Sequence, residues 1–300
     1  GIIGLNSDFG VKIAAELSNQ LNIRNIFSTV TSDNFLDKYN YLRNFNKDKS
    51  VTLTPPNSTN YIAKPRYGSG SREVILHNPL LINKSKNIIY QKIFQGKEYS
   101  VDGFFNKGQF FIFTISKRKL YKFSATEIES INPTTLIYKS IKSFIIKNLI
   151  FKVESSFPFH LELINDKING FKIIDFSPRG GGFTLGDIFI NRVLNIDLGS
   201  IYCKFFIDGT FNFPNINFYR PSIIYFLKQK KGIFKELQYN KSILNLNDFY
   251  FQLIKPRHKM STNNTDADRI GFFLLTSDVK SDLMEKLQMI KKSVKIELYE

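Results

Sequence analysis

Three stretches of the sequence predict an α+β fold. Residues 159–182, FHLELINDKINGFKIIDFSPRGGG, place two apolar strand-like runs around a polar turn at Asn165–Gly170, the pattern of an antiparallel hairpin. Residues 132–151, NPTTLIYKSIKSFIIKNLIF, repeat apolar positions at helical spacing, with Pro133 near the start. Residues 269–298, RIGFFLLTSDVKSDLMEKLQMIKKSVKIEL, read as strand, helix and strand, with Thr276-Ser277-Asp278 as the N-cap region.

The other elements follow in chain order. The opening GIIGL is followed by a run whose apolar Val11, Ala14, Ala15 and Leu21 recur at helical spacing, with small Ser18 on the same face. Residues 61–76, YIAKPRYGSGSREVIL, read as strand, flexible loop and strand, with Gly68-Ser69-Gly70-Ser71 in the loop. No Lys-Ser or Lys-Thr follows the glycines and no helix opens after them, which excludes a P-loop and a dinucleotide fingerprint. With Lys64 and Arg72 at its ends the loop suits a flap over phosphates, and an ordinary hairpin loop is an equal alternative. Residues 88–105 hold two strand runs joined at Gly96, with Glu98 starting the second. The basic cluster Lys117-Arg118-Lys119 reads first as a solvated turn and second as a clamp for an anionic substrate. Phe183–Val193 is predicted helical, with Gly181–Phe183 at its positive end, and residues 200–260 as strands and loops punctuated by Pro214, Pro221 and Pro256. Residues 260–268, MSTNNTDAD, form a polar loop.

The hairpin carries the chemistry. With its turn centred near residue 168, Glu162 and Asp175 become cross-strand neighbours. Like charges opposite one another destabilise a sheet, and a divalent cation between them reverses that sign. Ser177 lies two residues further on the same face and offers a third oxygen. Arg179 comes next, followed by Gly180, Gly181 and Gly182, which leave room for backbone or ligand. A pocket for a substrate carboxylate is expected beside Arg179 and these glycines, the alternative being a structural ion pair between Arg179 and an acid. Together the set suits a metal–phosphate site, since magnesium takes one or two carboxylates plus phosphate oxygens. His160 is a candidate ligand beside Glu162, though a polar strand residue is the favoured reading.

Composition narrows the function classes. Three hundred residues, 42% hydrophobic and 23% charged, are enough for one large domain or two with a sizeable core. No apolar run approaches the length of a membrane span and no signal peptide opens the chain. A single cysteine, Cys203, excludes an intramolecular disulfide and fits a reducing cytosol, and three histidines argue against zinc. The net charge of +16 is scattered among abundant Lys, Asn, Ile and Phe, which argues against a nucleic-acid face. The thirty phenylalanines alternate within strands and read as core.

Taken in order, these segments resemble the ATP-grasp family of carboxylate–amine ligases over roughly residue 31 to the end. The resemblance rests on Lys64 with the Gly68–Arg72 loop, on Gln91 to Glu98 with G-x-E-Y-S at Gly96–Ser100, and on Glu162, Asp175, Ser177 and Arg179. Asp37-Lys38 is similar to the family's Asp-Lys helix start. The resemblance implies ATP held between two α+β subdomains. Lys64 and the loop Gly68, Ser69, Gly70 and Ser71 would meet the phosphates, and strand Gln91–Phe94, including Ile93, would offer backbone groups to adenine. Glu98 would bind ribose, Glu162, Asp175 and Ser177 would hold Mg2+, and Arg179 would steady a phosphate or the acyl phosphate. Where the family mostly has Glu-x-Asn-Pro-Arg, this chain has Asp175-Phe176-Ser177-Pro178-Arg179, Gln91 stands where glutamate is common, and the stretch from Asp37 to Lys64 is short. The opening strand and helix resemble the end of a Rossmann-like domain, most of which the chain is expected to lack. The expected domains are residues 1–30 as that remnant, 31–199 as the nucleotide-binding core and 200–300 as a C-terminal α+β portion. The function implied is an ATP-dependent ligase that activates a carboxylate as an acyl phosphate and joins it to an amine. A catalytically degenerate nucleotide-binding module is the alternative. Its partners would be small-molecule carboxylates and amines, with no nucleic acid or membrane, a homodimer open as assembly and the cytoplasm as location.

Overall fold

The structure, a computed structural model, describes residues 1–23, 29–45, 49–70, 73–79, 87–149, 155–182, 185–213, 218–227, 231–260, 266 and 269–299. Ser71 and Arg72 of the glycine loop, Phe183, Pro214 and most of the 260–268 loop lie outside the described residues. Helix α1 (Asp8–Gln20) is capped by Ser7, whose hydroxyl accepts the Gly10 N–H, and it buries Val11, Ala14, Ala15 and Ser18 as expected. Leu21, expected on that face, lies past the helix end and is exposed. The GIIGL opening makes a single bridge at Ile2 rather than a strand. Its backbone is engaged elsewhere: the Leu5 carbonyl accepts the Gly180 N–H at 2.8 Å. Helices α2 (Thr29–Leu36) and α3 (Lys38–Asn40) follow, with Asp37 as the N-cap of α3, and Tyr41–Phe45 continues as a π turn.

Strands β1 (Val51–Thr52), β2 (Tyr61–Pro65), β3 (Ile75–Leu76) and β4 (Ile88–Lys92) form a small antiparallel sheet in the order β1-β4-β2-β3. β2 and β3 are the predicted strand–loop–strand, with Ile62 opposite Leu76. β4 stops at Lys92, short of the expected Phe94, and the Ile93 N–H adds one more bond in the same register, to the Asn60 carbonyl at 3.0 Å. The two runs expected to join at Gly96 therefore belong to different sheets. Gly96 opens β5 (Gly96–Asn106), and a Cβ there would lie 1.9 Å from the Asn165 carbonyl oxygen, so only glycine permits that backbone approach.

Strands β6 (Gln109–Tyr121) and β7 (Ser124–Ser130) meander back beside β5, then α4 (Leu136–Asn148) crosses to the hairpin β8 (Ser156–Asp166) and β9 (Gly170–Ser177). Thr135 caps α4. The Lys117-Arg118-Lys119 cluster is not a turn. It lies within β6, where Lys117 and Lys119 stand opposite Glu129 and Glu127 of β7, and those acids make the basic run a strand. Beyond β9 the chain forms a π turn over Leu185–Phe189 before α5 (Ile190–Leu194), in place of a continuous helix to Val193. Close contact between Gly180 and Gly186 accompanies that wider turn. Helix α6 (Leu198–Asp208) falls where strands and loops were expected; Asp197 caps it, and Leu198, Tyr202 and Phe205 bury one face.

The C-terminal part comprises β10 (Ser222–Phe226), β11 (Gly232–Gln238), β12 (Phe249–Gln252), β13 (Lys259–Met260), β14 (Gly271–Thr276), α7 (Lys280–Ser293) and β15 (Lys295–Tyr299). The strand–helix–strand ending is as predicted, but Val279 is the N-cap and makes no side-chain cap. Thr276 remains in β14 and Asp278 pairs with Arg220 at 2.9 Å. The large antiparallel sheet runs β12-β14-β10-β7-β6-β5-β8-β9, and β13-β11-β15 form a third sheet. One face of the large sheet buries Tyr99, Val101, Ile115, Leu161 and Leu163 in a cluster with Tyr138, Ile141 and Ile145 of α4. A second cluster joins Phe273 and Leu275 to Leu283, Leu287 and Ile290 of α7. Phenylalanines dominate the first, as predicted. No described helix is long and apolar enough to cross a membrane.

Candidate functional site

Alternation along β5, β6, β8 and β9 sends the apolar residues to one face and leaves the other polar. Because directly opposed residues share a face, the register assembles that polar face in rows. Arg118 stands opposite Glu98; Ser116, Ser100, Glu162 and Asp175 form the next row; Thr114, Asp102, His160 and Ser177 form the third. The predicted pairing of Glu162 with Asp175 is thus present. A bulge follows it, between Glu162 and Leu163, and frees the Ile174 carbonyl to accept from the Lys64 Nζ of the small sheet at 2.8 Å. Gln91 makes a similar tie, donating to the Ile173 carbonyl at 3.2 Å, while its buried Oε1 has no hydrogen-bond partner among the described residues.

Between the two sheets lies a cavity of about 680 Å³, within the range of small-molecule sites. Lys64, Gln91, Ile93, Glu98, Glu162 and Asp175 line it, together with Gly68, Ser69 and Gly70. Lys38 donates to the Gly68 carbonyl, and Asp37 holds Arg66 at 2.5 Å, so the α3 start anchors the glycine loop. A second compartment of about 310 Å³ shares Ser69, Gly70, Arg118, Glu162 and Asp175 with the first and adds His160, Ser177, Arg179, Gly182 and Arg269.

Asp102 is a residue that sequence reasoning missed, and Arg118, read there first as part of a solvated turn, joins it on the polar face. The Arg118 Nη1 lies 2.5 Å from Glu162 Oε2 and 3.5 Å from Glu98 Oε2. Asp102 accepts from the Gly181 N–H at 2.9 Å and contacts His160 Nδ1 at 2.9 Å, and His160 Nε2 lies 3.5 Å from Glu162 Oε1. The alternation Ser100-Val101-Asp102 and Thr114-Ile115-Ser116-Lys117-Arg118 was the available signal, since it places both residues on the face of Glu98. Tyr41 joins the set from the π turn: its hydroxyl donates to Asp175 Oδ1 and accepts the Phe176 N–H at 2.9 Å. Burial and the adjacent Asp175 raise the Tyr41 phenol well above its ordinary value.

These contacts set the charges. Burial pushes Glu98 up to about 7, with Arg118 opposing. Burial acts likewise on Glu162, but Arg118 and His160 outweigh it and hold that carboxylate below its usual range. Burial disfavours the His160 cation, yet Asp102 and Glu162 prevail and raise it to about 9. A protonated imidazole has no lone pair for a metal, so His160 serves as a cation beside Glu162. Its folded value exceeds the ordinary 6.5, so the stability it contributes is fully present below about pH 6.5 and is lost as pH rises through about 9. Chemical denaturation at stepped pH should therefore show wild-type stability falling across that window, and His160→Gln should lack that portion of the slope.

Among the described residues no group of three or more His, Cys, Asp or Glu gathers as a metal cage. A site of two carboxylates on one face nevertheless suits magnesium that shares phosphate oxygens, and Glu162 and Asp175 fit that description. Ser177 lies on the same face, opposite His160. Arg179 is buried, with Nε 2.6 Å from Asp8 Oδ1 and Nη1 donating to the Gly180 carbonyl at 2.9 Å. Two of the three glycines expected to make room for a ligand are instead packed by protein. A Cβ on Gly180 would meet Gly186 at 3.0 Å, and one on Gly181 would meet Leu185 at 2.8 Å and Asp102 at 2.9 Å. Gly182 alone faces open space. Asp8→Ala would leave the Arg179 guanidinium buried without its acid, so a loss of about 3 kcal/mol in denaturant unfolding is expected.

Comparison with known proteins agrees with this architecture. Residues 76–187 match the family described as ATP-grasp domain. The chain has the ATP-grasp fold. A solved L-amino acid ligase from Bacillus licheniformis superposes with a TM-score of 0.75 at 14% identity, over 98% of this chain and 79% of that one. Phosphoribosylglycinamide synthetase from Anaerococcus prevotii gives 0.67 at 13%, over 98% and 82% of the two chains. Biotin carboxylase from Campylobacter jejuni, solved as a β-γ-ATP complex, gives 0.68 at 13%, over 95% and 72%. No curated protein matches the sequence.

Proposed function

We propose that the chain is an ATP-dependent ligase that activates a small carboxylate as its acyl phosphate and joins it to an amine. The observation that carries this reading is the polar face itself: Glu162 paired with Asp175, facing Lys64 and the glycine loop across the 680 Å³ cavity. Lys64, with Gly68, Ser69, Gly70 and Ser71, would receive the phosphates. Gln91 and Ile93 would meet adenine, with the Gln91 Oε1 available as an acceptor. Glu98 would bind ribose, and Glu162 and Asp175, with Ser177 as an auxiliary oxygen, would hold magnesium. Bound there, magnesium would offset phosphate charge as the phosphoryl group moves.

The substrate carboxylate would attack the γ-phosphorus, and the bond to the β-phosphate oxygen would break to release ADP. The amine nitrogen would then attack the acyl carbon, expelling phosphate and losing a proton. Arg179, placed beside the second compartment, would steady the acyl phosphate there. Residues 31–199 serve as the nucleotide-binding core in this reading, with 200–300 completing the second compartment through Asp266 and Arg269. Lys64, Glu98, Glu162 and Arg179, with Asp175 keeping the carboxylate charge, favour catalysis over a nucleotide-binding module without it. The test is ADP release from MgATP with pooled amino acids and small carboxylic acids, with hydroxylamine added to trap acyl phosphate as a hydroxamate. Hydroxamate and ADP formed in equal amounts are expected. Nucleotide binding with no carboxylate-dependent ADP release would leave the non-catalytic module as the better reading.

A further inference from the structure

We infer that Arg118 is a built-in counter-ion, holding Glu162 until a metal–nucleotide complex enters and then passing to the phosphates, so that the metal loads with the nucleotide and not before it. The inference rests on the nucleotide reading above and extends it to the order of loading. Arg118 is no surface lysine-type pair of negligible worth: its side chain is 9% exposed and it contacts two acids, Glu162 at 2.5 Å and Glu98 at 3.5 Å. The other Glu162 oxygen faces His160, and one Asp175 oxygen is taken by the Tyr41 hydroxyl. The carboxylate pair expected to hold a metal is therefore already balanced by cations and donors. A bare divalent ion entering this face would meet the Arg118 guanidinium on Glu162 and the Lys64 ammonium lining the same cavity, and these like charges oppose it.

Phosphates change that balance. Arg118 lines both the large cavity and the second compartment, and its planar fork matches phosphate oxygens as well as carboxylates. A triphosphate beside Lys64 offers the guanidinium a new partner, which frees Glu162 Oε2 for the cation that the phosphates bring. The competing possibility is a purely structural pin, in which Arg118 only neutralises buried acids and has no bearing on metal affinity.

Free Mn2+ is measured by electron paramagnetic resonance during titration with the full chain, as wild type, Arg118→Ala and Arg118→Lys, without nucleotide and with a non-hydrolysable ATP analogue. Without nucleotide, Arg118→Ala should bind Mn2+ at least about tenfold more tightly than wild type, a change of about 1.4 kcal/mol. Arg118→Lys should fall between them, because a compact ammonium keeps a weaker hold on one acid. With the analogue present, wild type should bind Mn2+ and both variants should bind the analogue more weakly. Variants that bind Mn2+ alone no more tightly than wild type would overturn the inference and leave the structural pin. If Arg118→Ala fails to fold, the lysine variant decides by the same criterion. Failure of wild type to bind the analogue in the presence of Mn2+ would instead remove the nucleotide reading, and this inference with it.

Discussion

Lys64→Ala should slow MgATP-dependent turnover by roughly 10²–10³-fold, the usual cost of losing one preorganised donor at a developing charge. The amine is buried in β2, held at the Ile174 carbonyl of β9, and faces the same cavity as the carboxylate pair. Its charge also lowers the Glu98 carboxyl, which places it electrostatically within the site. Steady-state rates and analogue affinity check the expectation, with thermal unfolding as the control. A variant that loses only thermal stability would make Lys64 a strap between the two sheets and nothing more.

Glu162→Gln should reduce turnover by at least about 10²-fold, because the change keeps the shape and removes the charge that would hold the metal. The same substitution has a readout in the protein without ligand. Glu162 is one of the two acids that raise His160, so the imidazole of the variant should titrate below the wild-type value of about 9 when followed by NMR. Loss of activity with an unmoved His160 would mean that the electrostatic picture of the polar face is wrong. Retained turnover and Mn2+ binding would remove Glu162 from the metal site.

The Glu162–Asp175 pairing was legible because a hairpin encodes its own register: a polar turn, two alternating strands and a separation of thirteen residues suffice. Arg118 was not legible because its meaning depends on strands that meet only in the fold. Its acids lie twenty and forty-four residues away, and the flanking lysines make the tripeptide look like a solvated turn until Glu127 and Glu129 are placed opposite. Asp102 and His160 are fifty-eight residues apart, joined through the β5–β8 register. The glycines after Arg179 misled for a different reason. Glycine marks a close approach without saying what approaches, and at Gly180 and Gly181 it is the protein's own chain. Helix α6 was legible in principle, from Asp197 as a cap and the 198–202–205 spacing, but prolines further along the segment drew the reading toward loops.

In the proposed function, the cleft between the small sheet and the polar face binds ATP with magnesium. Isothermal titration of the full chain with a non-hydrolysable ATP analogue, with and without Mg2+, tests it most directly. One analogue bound per chain is expected, with affinity that rises when Mg2+ is present and falls in Lys64→Ala and Glu162→Gln. No binding in either condition, or binding that ignores Mg2+ and both substitutions, would contradict it.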